Sequence, residues 1–295
     1  HAALLDSAVR EAILQATPLA PLHNPAALAV ADQIAARLPG LPQVAVFDTN
    51  FFADPPDVAS GYAPPRSLSG ARDLVRYGYH GLAHAAMWEA ASSVYGSPRP
   101  RRVISPQLGS GASVAVVRDG RALDVSMGYS TLEGLVMGTR CGDLDPGAVL
   151  HLLRQPGSDP QRLADQLALE SGLLGLSGRS AHVHELLDAD DDASRHALDL
   201  YVYRAAMYLG SYLAVLGGVD AIVFGGGVEE RSPVIRSRFL APFGFAGIVL
   251  DAARNSASTS GSREIGVPGG EVRILTAAVD EARQLALAAS QLVDR

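Results

Sequence analysis

The sequence contains only one cysteine, Cys141, among its 295 residues. A single thiol forms neither an internal disulfide nor a Cys-x-x-Cys pair, so we expect a cytoplasmic protein kept in a reducing compartment. No apolar run approaches the ~20 uninterrupted residues of a transmembrane helix, and no signal-peptide pattern opens the sequence, so we expect no membrane partner. The formal net charge of −7 also argues against a nucleic-acid partner, because nucleic-acid-binding proteins usually carry a basic face.

The remaining composition is that of a globular protein with two lobes. Residues with hydrophobic side chains make up 48% of the chain, enough for two packed cores. The apolar run at 44–47 predicts a buried strand that ends at Asp48, and the spacing from Leu198 to Leu216 predicts a long core helix. Further helices are predicted at 7–16, 25–38 and after Gly81.

Tight turns divide residues 103–126 into three short apolar segments. The segments 103–108, 112–117 and 122–126 predict a three-stranded meander, with glycines 109–111 in its first turn. A later strand at 221–224 breaks into glycines 225–227 before a helix that begins at Ser232-Pro233. A last strand is predicted at 272–275. Meanders mixed with helices indicate α/β architecture.

Arg140 lies in a glycine-spaced loop, G-T-R-C-G-D-L-D-P, and is the strongest candidate for an anion site. Glycines let the backbone pass close to a ligand, and a guanidinium fork matches a carboxylate or a phosphate. The alternative is a structural ion pair between Arg140 and either Asp143 or Asp145.

Both glycine turns, 109–111 and 225–227, can direct backbone N–H groups at phosphate oxygens. Neither fits a dinucleotide fingerprint, and no Walker-type loop occurs. A plain hairpin turn and a plain strand-to-helix link remain the alternatives for these two segments.

His80 directly precedes a helix, where it can donate to a charged transferring group. Asp48 and Glu281 are candidate Mg²⁺ ligands, because Mg²⁺ takes one or two carboxylates together with substrate phosphates; ordinary polar positions are the alternative. His80 and His84 have the spacing of half a zinc site, but no adjacent glutamate or third ligand accompanies them. No G-x-S-x-G elbow surrounds a serine, which disfavours a hydrolase triad. His23 lies in a proline-bounded turn that faces either a pocket or solvent.

Several motifs together resemble the acetate kinase family of the sugar kinase, Hsp70 and actin superfamily, over nearly the whole chain. The motifs are A-P-L-H-N-P at 20–25, V-F-D-T at 46–49, R-Y-G-Y-H-G at 76–81, the block S-M-G-Y-S-T-L-E-G-L-V-M-G-T-R-C-G-D-L-D-P at 126–146, G-L-L-G-L-S-G at 172–178 and V-D-A-I-V-F-G-G-G at 219–227.

The resemblance implies two RNase-H-like lobes, a homodimer and Mg²⁺-dependent phosphoryl transfer between ATP and acetate or another short carboxylate. Arg140 would bind the carboxylate or acyl phosphate, His80 would stabilise the transferring phosphoryl group, and Asp48 would orient the carboxylate or Mg²⁺, with Glu281 holding Mg²⁺ through water. The implied acyl pocket is formed by Leu22, His23, Tyr79 and Thr131. The implied nucleotide site is formed by Gln107, Gly109, Ser110, Gly111, His182, Gly225, Gly226, Gly227 and Val228.

The chain departs from the family pattern in several places. The serine-rich phosphate loop with its lysine, and a second substrate arginine, have no counterpart, so we expect an incomplete first lobe at 1–52 and 282–295. A protein confined to these residues is then expected to lack kinase activity. Residues 53–281 are expected to form the second lobe, with the nucleotide site and dimer interface.

Departures near the nucleotide and acyl sites affect specificity. Ser110, His182 and Glu229 replace the usual asparagine, aspartate and glycine of the nucleotide site, and Tyr79 and Thr131 replace phenylalanine and proline in the acyl pocket. The alternative function is therefore a weak or inactive homologue that binds a nucleotide or acyl phosphate. An Hsp70-like or actin-like binding protein is a third possibility.

Overall fold

The computed structural model describes residues 2–21, 23–227, 232–257 and 261–293. Its strands form two sheets, one of two strands and one of six. The strands are β1 (Ala3–Leu4), β2 (Val44–Ala45), β3 (Arg102–Leu108), β4 (Ala112–Arg118), β5 (Arg121–Val125), β6 (Ala221–Phe224), β7 (Arg263–Glu264) and β8 (Arg273–Thr276).

The helices surround both sheets. Within the described ranges the α-helices are α1 (Ser7–Gln15), α2 (Asn24–Arg37), α3 (Asp57–Ser60), α4 (Gly81–Tyr95), α5 (Pro146–Leu153), α6 (Pro160–Leu169), α7 (Gly172–Ser177), α8 (Val183–Leu187), α9 (Asp192–Leu216), α10 (Pro233–Leu240), α11 (Ala252–Ser256) and α12 (Glu281–Val293). Short 3-10 helices lie at Thr17–Leu19, Asn50–Phe52, Ala71–Asp73 and Ala241–Ala246.

The six-stranded sheet has the order β5-β4-β3-β6-β8-β7. The predicted meander forms its antiparallel half, in which β4 pairs with both β3 and β5. The chain then returns so that β6 lies parallel to β3, and β8 lies parallel to β6. Because the first turn of the meander and the end of β6 lie at the same edge of the sheet, glycines 109–111 and 225–227 come together there. This arrangement confirms the predicted α/β class.

Two helices cover the two faces of this sheet. The predicted core helix, α9, places Tyr201, Leu209 and Leu216 in the large core against the sheet. On the other face, Met87 of α4 contacts a second cluster that includes Val103 and Val223. Burial of these apolar side chains is the main driving force that fixes α4 against the sheet.

The strand predicted at 44–47 is shorter and less buried than expected. Only Val44 and Ala45 are in strand conformation, and both are half-buried. They pair with β1 alone among the described strands. A strand in a two-stranded ribbon has no neighbour to extend its ladder, which explains its short length.

The helices α1 and α2 and the strand β2 border an open apolar groove of about 870 Å³. Val30 and Ile34 of α2 line this groove and are 58% and 37% exposed. Among the described helices, none combines the length and the hydrophobicity needed to cross a membrane.

Candidate active site

His80 occupies a constrained backbone position at the start of α4. Its φ of 62° lies in the left-handed region, which residues other than glycine rarely adopt and which concentrates at functional sites. Asp48 stabilises this conformation, because Oδ2 accepts the His80 N–H at 2.6 Å and Oδ1 accepts the Leu82 N–H at 3.1 Å. Gly81 is required beside it, since a Cβ there would lie 2.1 Å from the Asp48 backbone oxygen. Asp48 therefore caps α4 from 32 residues away and fixes His80.

Arg140 is 8% exposed, and its Nη1 donates to the Thr131 carbonyl oxygen at 2.9 Å. Neither aspartate of the structural alternative pairs with it. Asp143 accepts from the Gly134 N–H and the Tyr208 hydroxyl, and Asp145 caps α5. No carboxylate of the described residues forms an ion pair with Arg140, so a buried positive charge lacks an anion. Burial lowers the pKa of Arg140, as expected for a cation removed from water.

The Arg140 and His80 side chains converge above the Gly109–Gly111 turn. A Cβ built on Gly111 would lie 2.5 Å from Arg140 Nη2 and 3.2 Å from His80 Nε2. The absence of a side chain at Gly111 therefore leaves room for both groups. One cation and one imidazole face the same small volume, which suits an anionic group.

A cavity of about 400 Å³ opens beside His80. It is lined by Asp48 and His80 together with the predicted acyl-pocket residues His23, Tyr79 and Thr131. The Tyr79 hydroxyl donates to the Tyr129 carbonyl oxygen at 3.0 Å, and burial raises the pKa of Tyr79 to about 12. Tyr79 therefore lines this cavity as an uncharged side chain. Leu22, also predicted for this pocket, lies outside the described residues.

A second cavity, of about 510 Å³, opens on the other side of the glycine turn. Four residues predicted for the nucleotide site line it: Gly109, Ser110, His182 and Gly227. Because His80, which lies beside Gly111, lines the first cavity and Ser110 lines the second, the turn lies between the two cavities. Val228 and the substituted Glu229 lie outside the described residues.

Backbone N–H groups in both glycine turns already form hydrogen bonds within the protein. The Gly109 N–H donates to the Gly111 carbonyl oxygen and closes the turn, and the Gly225 N–H donates to the Pro106 carbonyl oxygen and extends the sheet. A Cβ at Gly226 would lie 2.7 Å from the Leu108 oxygen, so close packing requires this glycine. Gln107 has a buried Oε1 without a partner among the described residues. The N–H groups of Gly109 and Gly225 are therefore not available to a phosphate in this conformation.

Glu281 begins α12 and lies near enough to Asp48 to be affected by its charge. Partial desolvation of its carboxyl group and the nearby Asp48 charge raise the pKa of Glu281. Two neighbouring carboxylates are suited to a hard divalent cation. The described residues contain no cluster of three or more His, Cys, Asp or Glu side chains that could hold a metal ion.

The His80 and His84 pair contacts serines. His84 lies with both ring nitrogens 2.8 Å from serine hydroxyls, Nδ1 from Ser105 and Nε2 from Ser113. Ser113 also contacts His80 Nδ1 at 2.9 Å. Sequence reasoning missed Ser105 and Ser113, because strands β3 and β4 bring them to α4 only in the folded sheet.

Burial dominates the titration of both histidines. It lowers the pKa of His80 to about 4, an effect opposed by Asp48 and reinforced by Arg140 and His23. Burial, followed by the neighbouring His80, lowers the pKa of His84 well below its ordinary value. Both imidazoles are therefore neutral at pH 7.

Acidification is expected to destabilise the fold through these histidines. Protons bind the unfolded chain near pH 6.5 and the folded chain only near pH 4, so stability is lost as pH falls between these values. Between pH 7 and pH 5 His80 alone should lower the free energy of unfolding by about 2 kcal/mol. Urea unfolding at pH 7 and at pH 5 measures this loss of unfolding free energy. The His80→Asn variant should show a smaller loss between the two pH values than the wild type. An equal pH dependence in both proteins would contradict the assignment.

Comparisons with known proteins agree with this geometry. The model of the Acetokinase family matches residues 1–287. The acetate kinase of Micrococcus luteus is 42% identical over 293 residues, which cover 97% of this chain and 76% of that protein. The crystal structure of Porphyromonas gingivalis acetate kinase matches with a TM-score of 0.90 and 35% identity, over 99% of this chain and 74% of that one.

A propionate kinase from Francisella tularensis matches with a TM-score of 0.88 and 32% identity, over 97% of this chain and 73% of that one. The fold and the relatives therefore agree with each other and with the motifs around His80 and Arg140. The chain belongs to the acetokinase family.

Proposed function

We propose that the protein is an acetate kinase, which transfers a phosphoryl group reversibly between ATP and acetate to give acetyl phosphate and ADP. The observation that carries this proposal is the convergence of Arg140 and His80 at the Gly111 turn, between two cavities. The first cavity has room for a short carboxylate beside His80, and we propose the second for the nucleotide. The 42% identity to an acetate kinase supports the same activity.

The proposed mechanism depends on positioning and charge. Arg140 binds the carboxylate, or the acyl phosphate in the reverse direction, because its buried guanidinium has no competing carboxylate. His80 donates to the equatorial oxygens of the phosphoryl group as it moves from the second cavity to the first. A loose phosphoryl-transfer transition state gains most from such fixed donors and cations.

Asp48 and Glu281 are the residues that would hold Mg²⁺, directly or through water. Their proximity supports this assignment, since the charge of Asp48 contributes to the raised pKa of Glu281. Bound Mg²⁺ would neutralise negative charge on the nucleotide phosphates. Asp48 has a second role that needs no metal, because its carboxylate holds the His80 backbone.

The nucleotide site is proposed along the second cavity, where Ser110, His182 and Gly227 lie.

We propose that residues 53–281 form the second lobe and that the protein assembles as a homodimer. Tyr203 and Met207, one turn apart on α9, are 62% and 50% exposed and support an apolar contact between copies. We retain the cytoplasm as the proposed location.

A hydroxamate assay on the full-length gene product tests this function. ATP, Mg²⁺ and each of acetate, propionate and butyrate are supplied with hydroxylamine, which traps acyl phosphate. The expected result is hydroxamate formation with acetate, and the ratio among the three acids gives the acyl preference. Absence of product together with binding of Mg-ADP would instead identify a nucleotide-binding homologue.

Gly111→Ala is expected to lower kcat/KM by about 100-fold, because a new methyl group would displace the Arg140 guanidinium from its place beside His80. Gly111 has no positive φ, so backbone strain should not add to this effect. Gly244→Ala is the matched control, since nothing lies within 4 Å of its added Cβ. Kinetics and thermal melting of both variants check this, and full activity in Gly111→Ala would contradict it.

A further inference from the structure

Four polar side chains form a continuous chain from the active site into the core. His80 Nδ1 lies 2.9 Å from Ser113 Oγ, Ser113 Oγ lies 2.8 Å from His84 Nε2, and His84 Nδ1 lies 2.8 Å from Ser105 Oγ. Ser105, Ser113 and His84 are at most 1% exposed. Buried polar groups at this depth are stable only when each is hydrogen-bonded, so the order of donors and acceptors along the chain is constrained.

The available hydrogens allow two orders of donor and acceptor along these four side chains. Ser113 has one hydroxyl hydrogen and two imidazole neighbours, so it donates to one ring and accepts from the other. In one direction Ser105 donates to His84, His84 donates to Ser113, and Ser113 donates to His80 Nδ1. In the other direction every bond is reversed, and the Ser105 hydroxyl must donate elsewhere.

The geometry favours the first direction. The alternative acceptor for Ser105 is the Ala115 carbonyl oxygen at 3.5 Å, whereas His84 Nδ1 lies at 2.8 Å. A hydroxyl donor strongly prefers the shorter contact. His84 also makes an edge-to-face contact with Phe52, 5.8 Å between ring centroids. The short contact between Ser105 and His84 therefore favours Ser105 as the donor at the start of the chain of hydrogen bonds.

We propose that Ser105, His84 and Ser113 are positioning residues that hold His80 as the neutral tautomer with its proton on Nε2. The Nδ1 atom then accepts from Ser113, and the Nε2–H points to the volume shared with Arg140. The other hydrogen bond of an imidazole decides which nitrogen carries the proton, as in many catalytic histidines. The catalytic consequence of this tautomer rests on the proposed phosphoryl transfer.

The position of the proton on the His80 ring decides how the ring interacts with a phosphoryl oxygen. An Nε2 lone pair would repel a phosphoryl oxygen, whereas an Nε2–H donates to it. The charged and titratable groups near His80 are Asp48, Arg140 and His23. None of them forms a hydrogen bond with the His80 ring among the described residues, so Ser113 is the hydrogen-bond partner through which the tautomer is selected.

The direct test is ¹⁵N NMR of histidine-labelled full-length protein at pH 7.5, without substrates. His80→Asn, which tolerates the left-handed backbone, assigns the His80 signals by their loss. The expected spectrum has a protonated, pyrrole-type Nε2 and an unprotonated, pyridine-type Nδ1 in His80. A protonated Nδ1, or an imidazolium, would overturn the proposal. The spectrum requires no catalysis, so it tests the proposed tautomer even if the wild type forms no acyl phosphate.

Three variants separate positioning from structure. Ser113→Ala removes the donor to His80 and should lower kcat about tenfold or more with little change in the KM for acetate, while both His80 tautomers appear. His84→Gln places an amide N–H near the former Nε2 position and should keep the Nε2–H tautomer and most of the activity.

Ser92→Ala is the matched control. Ser92 lies on α4, the helix that carries His84, and its buried hydroxyl has no hydrogen-bond partner among the described residues. This variant should leave kcat and the spectrum unchanged. A Ser113→Ala protein with wild-type kcat and an unchanged tautomer would overturn the proposal. If Ser113→Ala fails to fold, the wild-type and His84→Gln spectra still decide it.

Discussion

Arg140→Ala is expected to lower kcat/KM for acetyl phosphate formation by at least ~100-fold, since a fixed guanidinium in a water-poor site contributes several kcal/mol. The structure gives the reason: Arg140 is buried, is held by the Thr131 carbonyl oxygen, and has no carboxylate partner among the described residues. Its positive charge is therefore available to the substrate. Steady-state kinetics of the full-length protein with ATP and acetate measure the loss.

Two further variants define the effect of Arg140→Ala. Arg140→Lys keeps the charge but loses the planar fork, so it should recover only part of the activity. Arg162→Ala removes an exposed arginine that pairs with Glu170 and should leave the kinetics unchanged. A loss below tenfold in Arg140→Ala would contradict the assignment of Arg140 to the substrate anion.

His80→Asn is expected to lower kcat by about 100-fold or more, with a smaller effect on the KM for acetate. Asparagine accommodates the positive φ of position 80, and its N–H can still donate to Asp48. The variant therefore removes the imidazole while it keeps the start of α4. Unchanged circular dichroism together with the loss of kcat would support a role in the transition state.

The outcome for KM distinguishes this role from substrate binding. A histidine that only shapes the acyl cavity would raise the KM for acetate and leave kcat nearly intact when replaced. That result would contradict the assignment of His80 to the moving phosphoryl group.

Local sequence patterns predicted the elements that surround the site. The meander of β3 to β5, the long helix α9 and the strand β6 followed by glycines lie where their apolar spacing and turn residues indicate. Periodicity and turn chemistry are local properties, so one sequence is enough to recognise them. The strand at 44–47 was predicted too long, because strand length depends on neighbours that the local pattern does not include.

The contacts within the site could not be predicted in this way. The sequence indicated Asp48 and His80 separately, but only the fold shows that the Asp48 carboxylate accepts the His80 N–H. Ser105 and Ser113 carry no motif, and their role follows from the register of β3 with β4 beneath α4. Such long-range contacts depend on tertiary packing, which a single sequence does not specify residue by residue.

The glycines illustrate the same limit. Gly109 and Gly225 appeared equally suited to hold phosphate, yet both N–H groups are used by the protein backbone. Gly111 is important for a different reason, since its missing side chain makes room for Arg140 and His80. A glycine in a sequence shows that a side chain is absent, and only the structure shows which neighbour requires that absence.

A double-mutant cycle of Arg140→Ala and His80→Asn tests most directly whether these two side chains bind one phosphoryl group together. The free-energy losses in kcat/KM are compared between each single variant and the double variant of the full-length protein. We expect strong coupling, with the double variant at least tenfold more active than the product of the single losses implies. Fully additive losses would mean that Arg140 and His80 act on separate groups and would contradict a shared role at the phosphoryl group.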